Sequence, residues 1–406
     1  MNINANPTNM TTEIRRSKVL RLILYVSFFI VIVSCQSRVP ETSLPLISLS
    51  GLSFSKDEVL LSDFASQISY FPLETIDASL VSEIHDACFT DSTIAVFDYN
   101  LSVVQLFSMQ GMFLKKLNDH LKAGADSSRI HQLVYNKQTK QILLYSKGRM
   151  IHSYSSNGDY LYSQHFENVI PFYIYPTESN LLLYFPYPRS LGFDNYDFGI
   201  ANSTFQITKR LGYRKVTWRP KEKDMVFFPN VYGYADTLCF WNRYCDTVFG
   251  FFENHLIPRF VVTGSNLKTA RENYLQIQKT VTDADILIYK IFESRDFLFF
   301  ECVKNRSRCH LVVRKDDHLA KEIKQESSID PFTIRNDIDG GYPFWPDRAT
   351  SDYMLMFVSA DRLVKFLSSS AKESGGGLVT DNHSRAILGK LAIQDNPVII
   401  KIDLKK

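Results

Sequence analysis

Between about residue 54 and residue 360 the apolar positions fall in short runs cut by polar stretches. Ile94-Ala95-Val96-Phe97, Val103-Val104-Gln105-Leu106-Phe107, Ile142-Leu143-Leu144-Tyr145 and Leu181-Leu182-Leu183-Tyr184-Phe185 have the length and the aromatic or branched content of strands. One hairpin recurs. Phe107-Ser108-Met109-Gln110-Gly111-Met112-Phe113-Leu114 matches Tyr154-Ser155-Ser156-Asn157-Gly158-Asp159-Tyr160-Leu161 at an offset of 47. Each copy reads as a strand, a polar turn whose glycine can take positive φ, and a returning strand. Upstream, Ile94–Asp98 corresponds to Ile142–Ser146 at nearly the same offset. A period in the forties with several strands per unit is the signature of a propeller blade. Further units at about 168–214, 225–264, 285–324 and 338–406 bring the total to six.

The pattern therefore predicts an all-β fold: a six-bladed β-propeller of four-stranded antiparallel blades, closed by a blade that both chain ends share. The last strand, Pro397 to Leu404, is expected beside an early strand within Leu60 to Leu73, because a propeller must join its ends to protect its edges. Helical insertions interrupt the pattern. Asn266 to Thr280 sets Leu267, Ala270, Tyr274 and Ile277 on one face, and Asp361–Ser369 and Asn382–Ala392 suggest short helices near the end.

The first 34 residues stand outside this pattern. Arg15, Arg16, Lys18 and Arg21 precede an apolar run, Leu22 to Val33, that is too short to remain as a spanning helix. The run ends Ile32-Val33-Ser34-Cys35, the spacing of a lipobox. We expect a lipoprotein signal peptide over 1–34, lipidation at Cys35, a linker over 35–53 and the propeller over 54–406. Acyl chains on Cys35 would hold the protein at a membrane, each buried methylene adding about 0.8 kcal/mol. Its expected location is the cell envelope, most simply the outer membrane.

Removing the leader changes the charge. Its four basic residues and one acidic residue, Glu13, account for the whole formal charge of +3, so the remaining chain is near neutral. Nucleic-acid binding then has no electrostatic support. With Cys35 acylated, five cysteines remain: Cys88, Cys239, Cys245, Cys302 and Cys309. Cys302 and Cys309 flank the turn Lys304-Asn305-Arg306-Ser307 and should lie opposite on a hairpin, as a possible disulfide or as two half-buried thiols. Cys239 and Cys245 bracket Trp241-Asn242-Arg243 in the same manner. No cysteine or histidine set has zinc spacing.

The order of several motifs resembles the six-bladed TolB-like β-propeller lipoproteins of Bacteroidota, a family of unknown function. They are Phe71-Pro72-Leu73-Glu74-Thr75, Phe97-Asp98, Phe107 to Leu114, Asp246-Thr247-Val248-Phe249, Leu256-Ile257-Pro258-Arg259-Phe260, and Asp395-Asn396-Pro397-Val398-Ile399-Ile400. The most distinctive is Asn336-Asp337-Ile338-Asp339-Gly340-Gly341-Tyr342-Pro343-Phe344-Trp345-Pro346. One departure stands out: a glycine-rich loop usual after the first blade is replaced here by Asn118 to Arg129, with Gly124 alone. The resemblance implies a fold and an address, and no reaction.

Candidate chemistry is sparse. Asp337 and Asp339 begin a calcium-like D-x-D-x-G, yet no bidentate glutamate follows, so an Asx-type turn explains them better than a metal. The nine histidines are scattered, no nucleophile elbow appears, and the sequence assigns no catalytic residue and no cofactor. Aromatic and basic loop residues are the best ligand-binding candidates: Tyr187 and Arg189 in Pro186-Tyr187-Pro188-Arg189, with Trp218, Trp241 and Trp345. The expected function is non-enzymatic binding of an envelope protein, peptide or glycan. The alternative is an envelope lyase or hydrolase with its site in the channel, which a convergent cluster of His, Tyr, Arg or acidic residues there would favour.

Overall fold

Turn chemistry sets the frame of this molecule. The computed structural model describes residues 44–49, 52–53, 57–118, 121, 129–146, 150–166, 170–177, 179–185, 198–212, 230–241, 246–263, 286–304, 307–323, 332–373 and 386–406. Two strands precede the first blade, β1 (Leu46–Ser48) and β2 (Ala65–Pro72). Blade 1 then comprises β3 (Asp86–Phe89), β4 (Thr93–Asp98), β5 (Val103–Ser108) and β6 (Phe113–Lys116). Its last turn closes through Ser108 N–H to Met112 O at 2.8 Å and Gly111 N–H to Ser108 O at 2.9 Å, with Gly111 at φ 81°. A Cβ on Gly111 would fall 1.9 Å from the Pro72 carbonyl oxygen, so both conformation and space demand glycine there.

Blade 2 repeats the pattern with β7 (Ile130–Asn136), β8 (Gln141–Ser146), β9 (Met150–Ser155) and β10 (Tyr160–His165), and Gly158 sits at φ 77°. Blade 3 holds β11 (Tyr173–Pro176), β12 (Leu181–Tyr184), β13 (Phe198–Ala201) and β14 (Ile207–Leu211). It carries a third copy of the turn that the sequence hides. Asn202 N–H reaches Gln206 O and Phe205 N–H reaches Asn202 O, with Phe205 at φ 58° in the glycine slot. Phe205 accepts that backbone strain while its ring meets Phe166 edge-on at 5.4 Å.

Blade 4 is β15 (Asn230–Tyr234), β16 (Thr237–Trp241), β17 (Thr247–Phe252) and β18 (His255–Thr263), and blade 5 is β19 (Ile286–Glu293), β20 (Phe297–Lys304), β21 (Ser307–Arg314) and β22 (Ala320–Ile323). Two-residue turns at Ala235-Asp236 and Glu253-Asn254 have positive φ at both positions, the twist that suits adjacent strands. Blade 6 is assembled from both ends of the chain. It runs β23 (Arg348–Ala349), β24 (Tyr353–Val358), β25 (Val398–Leu404) and then β2 as the outermost strand. The closing register pairs Pro72 with Val398 and Ala65 with Leu404, the arrangement expected from the sequence.

The stretch expected to be a linker takes part in this edge. β1 joins blade 4 as a fifth, parallel strand, Leu46 opposite Val261. Ser53 O then accepts Ala320 N–H from β22, and Leu60 bridges Arg335, so the chain crosses two blade edges before entering β2. Between β24 and β25 lies α1 (Ala360–Glu373), where Phe366 meets Tyr342 edge-on at 5.1 Å. The helix expected over 266–280 lies outside the described residues. Of the one expected over 382–392, residues 386–388 are helical and a turn follows.

The core is a set of layers between neighbouring blades. Phe97 and Leu106 of blade 1 meet Leu133, Leu144 and Tyr154 of blade 2, and Tyr145 meets Leu183 and Phe185 in the next layer. Because every sheet is covered on both faces, β4 and β12 are buried along their whole length. That explains the unbroken apolar runs in the sequence. Each fully buried large side chain contributes about 1.5–3 kcal/mol.

Candidate functional site

β3, β7, β11, β15, β19 and β23 are each the innermost strand of a blade. They begin at Asp86, Ile130, Tyr173, Asn230, Ile286 and Arg348, and each leaves through a tight turn such as Ala235-Asp236. The longer connections therefore arrive at the starts of these strands, and this end of the axial channel is the one loops can dress. Functional side chains belong here, carried by short, rigid strands.

Blades 6 and 1 meet through Arg348. Its Nε donates to Asp86 Oδ1 at 3.0 Å, Nη2 to His85 O at 2.9 Å and Nη1 to Asp347 O at 3.1 Å. The pair stays in touch with water, its side chains 37% and 24% exposed, as befits groups that line a channel. Burial opposes the Arg348 charge, and Asp86 more than restores it. His85 packs beside Tyr99 at 5.2 Å and Phe97 at 5.7 Å. Desolvation, then the Arg348 charge, hold its ring below the ordinary histidine value, with Asp86 and Glu83 pulling the other way.

Blades 2 and 3 contribute rings. The Gln132 side chain clamps β11 from both sides, accepting Ile174 N–H and donating to Ile174 O, both at 2.9 Å. Its neighbours Tyr173 and Tyr175 are thereby fixed. Tyr173 stacks on His131 at 5.3 Å with planes 17° apart, and Phe172 meets it edge-on. Burial pushes the Tyr173 phenol up to about 12, and Asp86 and Arg348 both act on it, in opposite directions. Tyr175 is raised further, again by burial and then by Tyr173. At the rim the Arg129 guanidinium lies 5.9 Å from the Tyr99 ring centre. Blade 5 adds Lys290, paired with Glu301 at 3.2 Å.

This arrangement offers ring faces, neutral phenol donors and a fixed ion pair, which suit recognition of a ligand with apolar faces and polar edges. Its charged groups are already committed, since each Arg348 nitrogen has a protein acceptor. Burial raises the Cys88 thiol pKa and keeps this cysteine a poor nucleophile.

Of the residues singled out from sequence, those within the described part of the chain lie elsewhere. Trp241 is buried within blade 4, and Trp345 is buried with its ring stacked on His310 at 3.9 Å. Neither presents a face to a ligand, because both serve the layers between blades. Cys35, Tyr187, Arg189, Trp218 and Cys245 lie outside the described residues. Asp337 and Asp339 do not converge. Asp337 accepts Ser62 N–H at 2.9 Å and its hydroxyl at 2.5 Å. Asp339 Oδ1 takes Asn336 Nδ2 at 2.6 Å, Gly341 N–H at 2.9 Å and Tyr70 O–H at 3.3 Å. Asn336 Oδ1 accepts the Ile338 and Asp339 amides, an Asx turn. Among the described residues no three metal-binding side chains come together. Cys302 and Cys309 are direct cross-strand partners, and both are free thiols, Cys302 Sγ donating to Cys309 O at 3.2 Å. Cys239 is also a free thiol, in contact with Arg259.

The mouth residues carry no motif in the sequence. Most share only a position: His85, Asp86, Arg129, His131, Tyr173 and Arg348 stand at or next to the start of a blade's first strand, while Tyr99 follows β4.

Comparison with known proteins places the chain. Among solved structures, a protein of Bacteroides fragilis NCTC 9343 described as exported has a TM-score of 0.64 at 15% identity, over 89% of this chain and 100% of that one. A member of the DUF4221 family from Bacteroides vulgatus has a TM-score of 0.43 at 8% identity, over 84% of this chain and 97% of that one. PorZ, a surface component of the type-IX secretion system of Porphyromonas gingivalis, reaches 0.36 at 8% identity, over 63% and 29%. At these identities the first likeness is one of fold, and the other two carry no argument. No curated protein matches the sequence. Residues 47–403, essentially the whole propeller, match the domain of unknown function DUF4934, and the chain belongs to that family.

Proposed function

We propose that this protein is a lipid-anchored, TolB-like propeller of the cell envelope that binds a partner protein, peptide or glycan at the channel mouth without acting on it chemically. The observation that carries the reading is that the ion pair at the channel mouth is committed within the protein, Arg348 donating to Asp86, His85 O and Asp347 O, while Tyr99, His131 and Tyr173 bring rings from three blades to the same end. The fold-level relative described as exported, together with the basic-apolar leader and Cys35, supports an extracytoplasmic location.

Two measurements test it. Labelled fatty acid should enter the wild type and not Cys35→Ser; equal labelling of both ends the anchoring claim. Arrays of envelope glycans and peptides should yield a ligand whose binding drops at least tenfold in Tyr99→Ala and Arg129→Ala at unchanged melting temperature. Ligands that bind both variants as well as wild type would place the site elsewhere.

The enzymatic reading is favoured by the convergence of His85, Asp86, Tyr99, His131, Tyr173 and Arg348 from four blades, with desolvation holding His85 below the ordinary histidine value as a candidate general base. It requires turnover of an envelope polysaccharide or peptide that disappears in His85→Ala.

A further inference from the structure

A groove of about 900 Å³ runs along blade 6 and shares no residue with the channel mouth. One wall is Ser66 to Thr75 in unbroken succession. A sheet face would supply only alternate residues, so the groove meets the edge of β2. β2 is the outermost strand of its sheet, and its outward amides and carbonyls are the kind that accept another strand. The Met109–Met112 turn of blade 1 bounds the groove on one side, and Ile338, Ile387 and Leu391 on another.

The other blade edges are defended. β1 covers β18, and Ser53 bonds to the start of β22. β6 carries Lys115 and Lys116, and β14 carries Lys209 and Arg210, charges that discourage strand pairing. β10 is broken by a bulge between Tyr160 and Tyr162. β2, Ala-Ser-Gln-Ile-Ser-Tyr-Phe-Pro, has no charged residue, and its irregularity is confined to Ala65–Gln67. This same chain already adds a strand to a blade edge, β1 onto β18, so the mode suits the fold. Charge favours one class of guest: Glu74, Asp339 and Asp395 line the groove against the single cation Lys390.

We propose that this edge is a strand-addition site for an extended peptide with alternating apolar residues and at least one basic residue. Main-chain bonds to β2 hold the guest, the apolar walls take alternate side chains, and the acidic lining takes the cation. The site is independent of the channel mouth.

Random peptides displayed on phage are selected against the purified full chain, and the winners are synthesised with alternate main-chain nitrogens methylated. Methylation should abolish binding in one alternate set of positions and spare the other. Met112→Lys, at a side chain 59% exposed, should weaken binding at least tenfold without lowering the melting temperature. Lys390→Glu should tighten binding severalfold, an effect that fades with added salt. The proposal fails if no peptide is selected, if Met112→Lys is without effect, or if methylation is tolerated everywhere. Concentration-dependent dimerisation abolished by Met112→Lys would assign the edge to a second copy and overturn the peptide reading.

Discussion

Arg348 and Asp86, 262 residues apart, join the first strand of the last blade to the first strand of the first blade at 3.0 Å. The outer side of the same junction is held by β2 against β25, so the ring is latched at both radii. Arg348→Met should cost about 1–3 kcal/mol, since charge-assisted bonds are lost in a partly hydrated site. A double-mutant cycle with Asp86→Ala should return a coupling of about 1 kcal/mol. Strictly additive losses would show that the pair is not a latch.

Closure also depends on Asn396, just before β25. Its Oδ1 accepts Val81 N–H at 2.9 Å, and its Nδ2 donates to Glu74 O and Ser79 O, both at 2.8 Å. Asn396→Ala removes three hydrogen bonds, taking this partner from Val81 N–H and Ser79 O while Glu74 O keeps the Ser79 hydroxyl, and should cost about 2–3 kcal/mol. Deleting residues 396–406 should abolish the cooperative melting of the whole domain. A truncated protein that melts like the wild type would contradict closure by β25.

The two repeat glycines should respond unequally. Gly111→Ala meets the backbone oxygen of Pro72 at 1.9 Å and should lose more than about 2 kcal/mol. Gly158→Ala meets side-chain atoms of Leu106, Leu117 and Lys115 at 2.7–2.8 Å rather than backbone, and should lose less, about 1–2 kcal/mol. Denaturant titration of both variants ranks them directly.

His310 makes the fold sensitive to acid. Burial beneath Trp345 pushes it down to about 4, against the partial support of the Phe332 carbonyl and Glu301, with Lys290 and Arg308 adding to the depression. The unfolded chain takes up this proton first, at about 6.5. Stability from the neutral ring is therefore complete above pH 6.5 and drains away as pH falls toward 4, by up to about 3 kcal/mol. The difference in melting temperature between wild type and His310→Phe should change across that window and stay flat above it.

Cys302 and Cys309 should remain reduced and resist alkylation in the native protein, because both thiols are buried. Iodoacetamide should label both only after unfolding. A native mass two hydrogen atoms lighter, with neither Cys302 nor Cys309 labelled after unfolding, would mean that the pair is bonded.

What the sequence determined by itself was whatever neighbours in the chain decide. The turns at Gly111 and Gly158 declare themselves because positive φ is a local demand, and the hairpin at Cys302 and Cys309 follows from counting around one turn. The closing strand was legible too, since a ring of blades requires a partner for Val398–Leu404. Phe205 hid the third repeat because packing against Phe166 offsets a backbone cost that normally selects glycine. Only the tertiary structure decided the rest. Trp241 and Trp345 look like loop rings in sequence, and the layers between blades take them inside. β1 reads as linker because three residues paired in parallel to a distant edge have no local signature. The channel mouth was invisible for the same reason: blades 1, 2, 3 and 6 supply residues at or next to the start of the inner strand, and the closed ring, not spacing along the chain, brings Asp86, Tyr173 and Arg348 to one place.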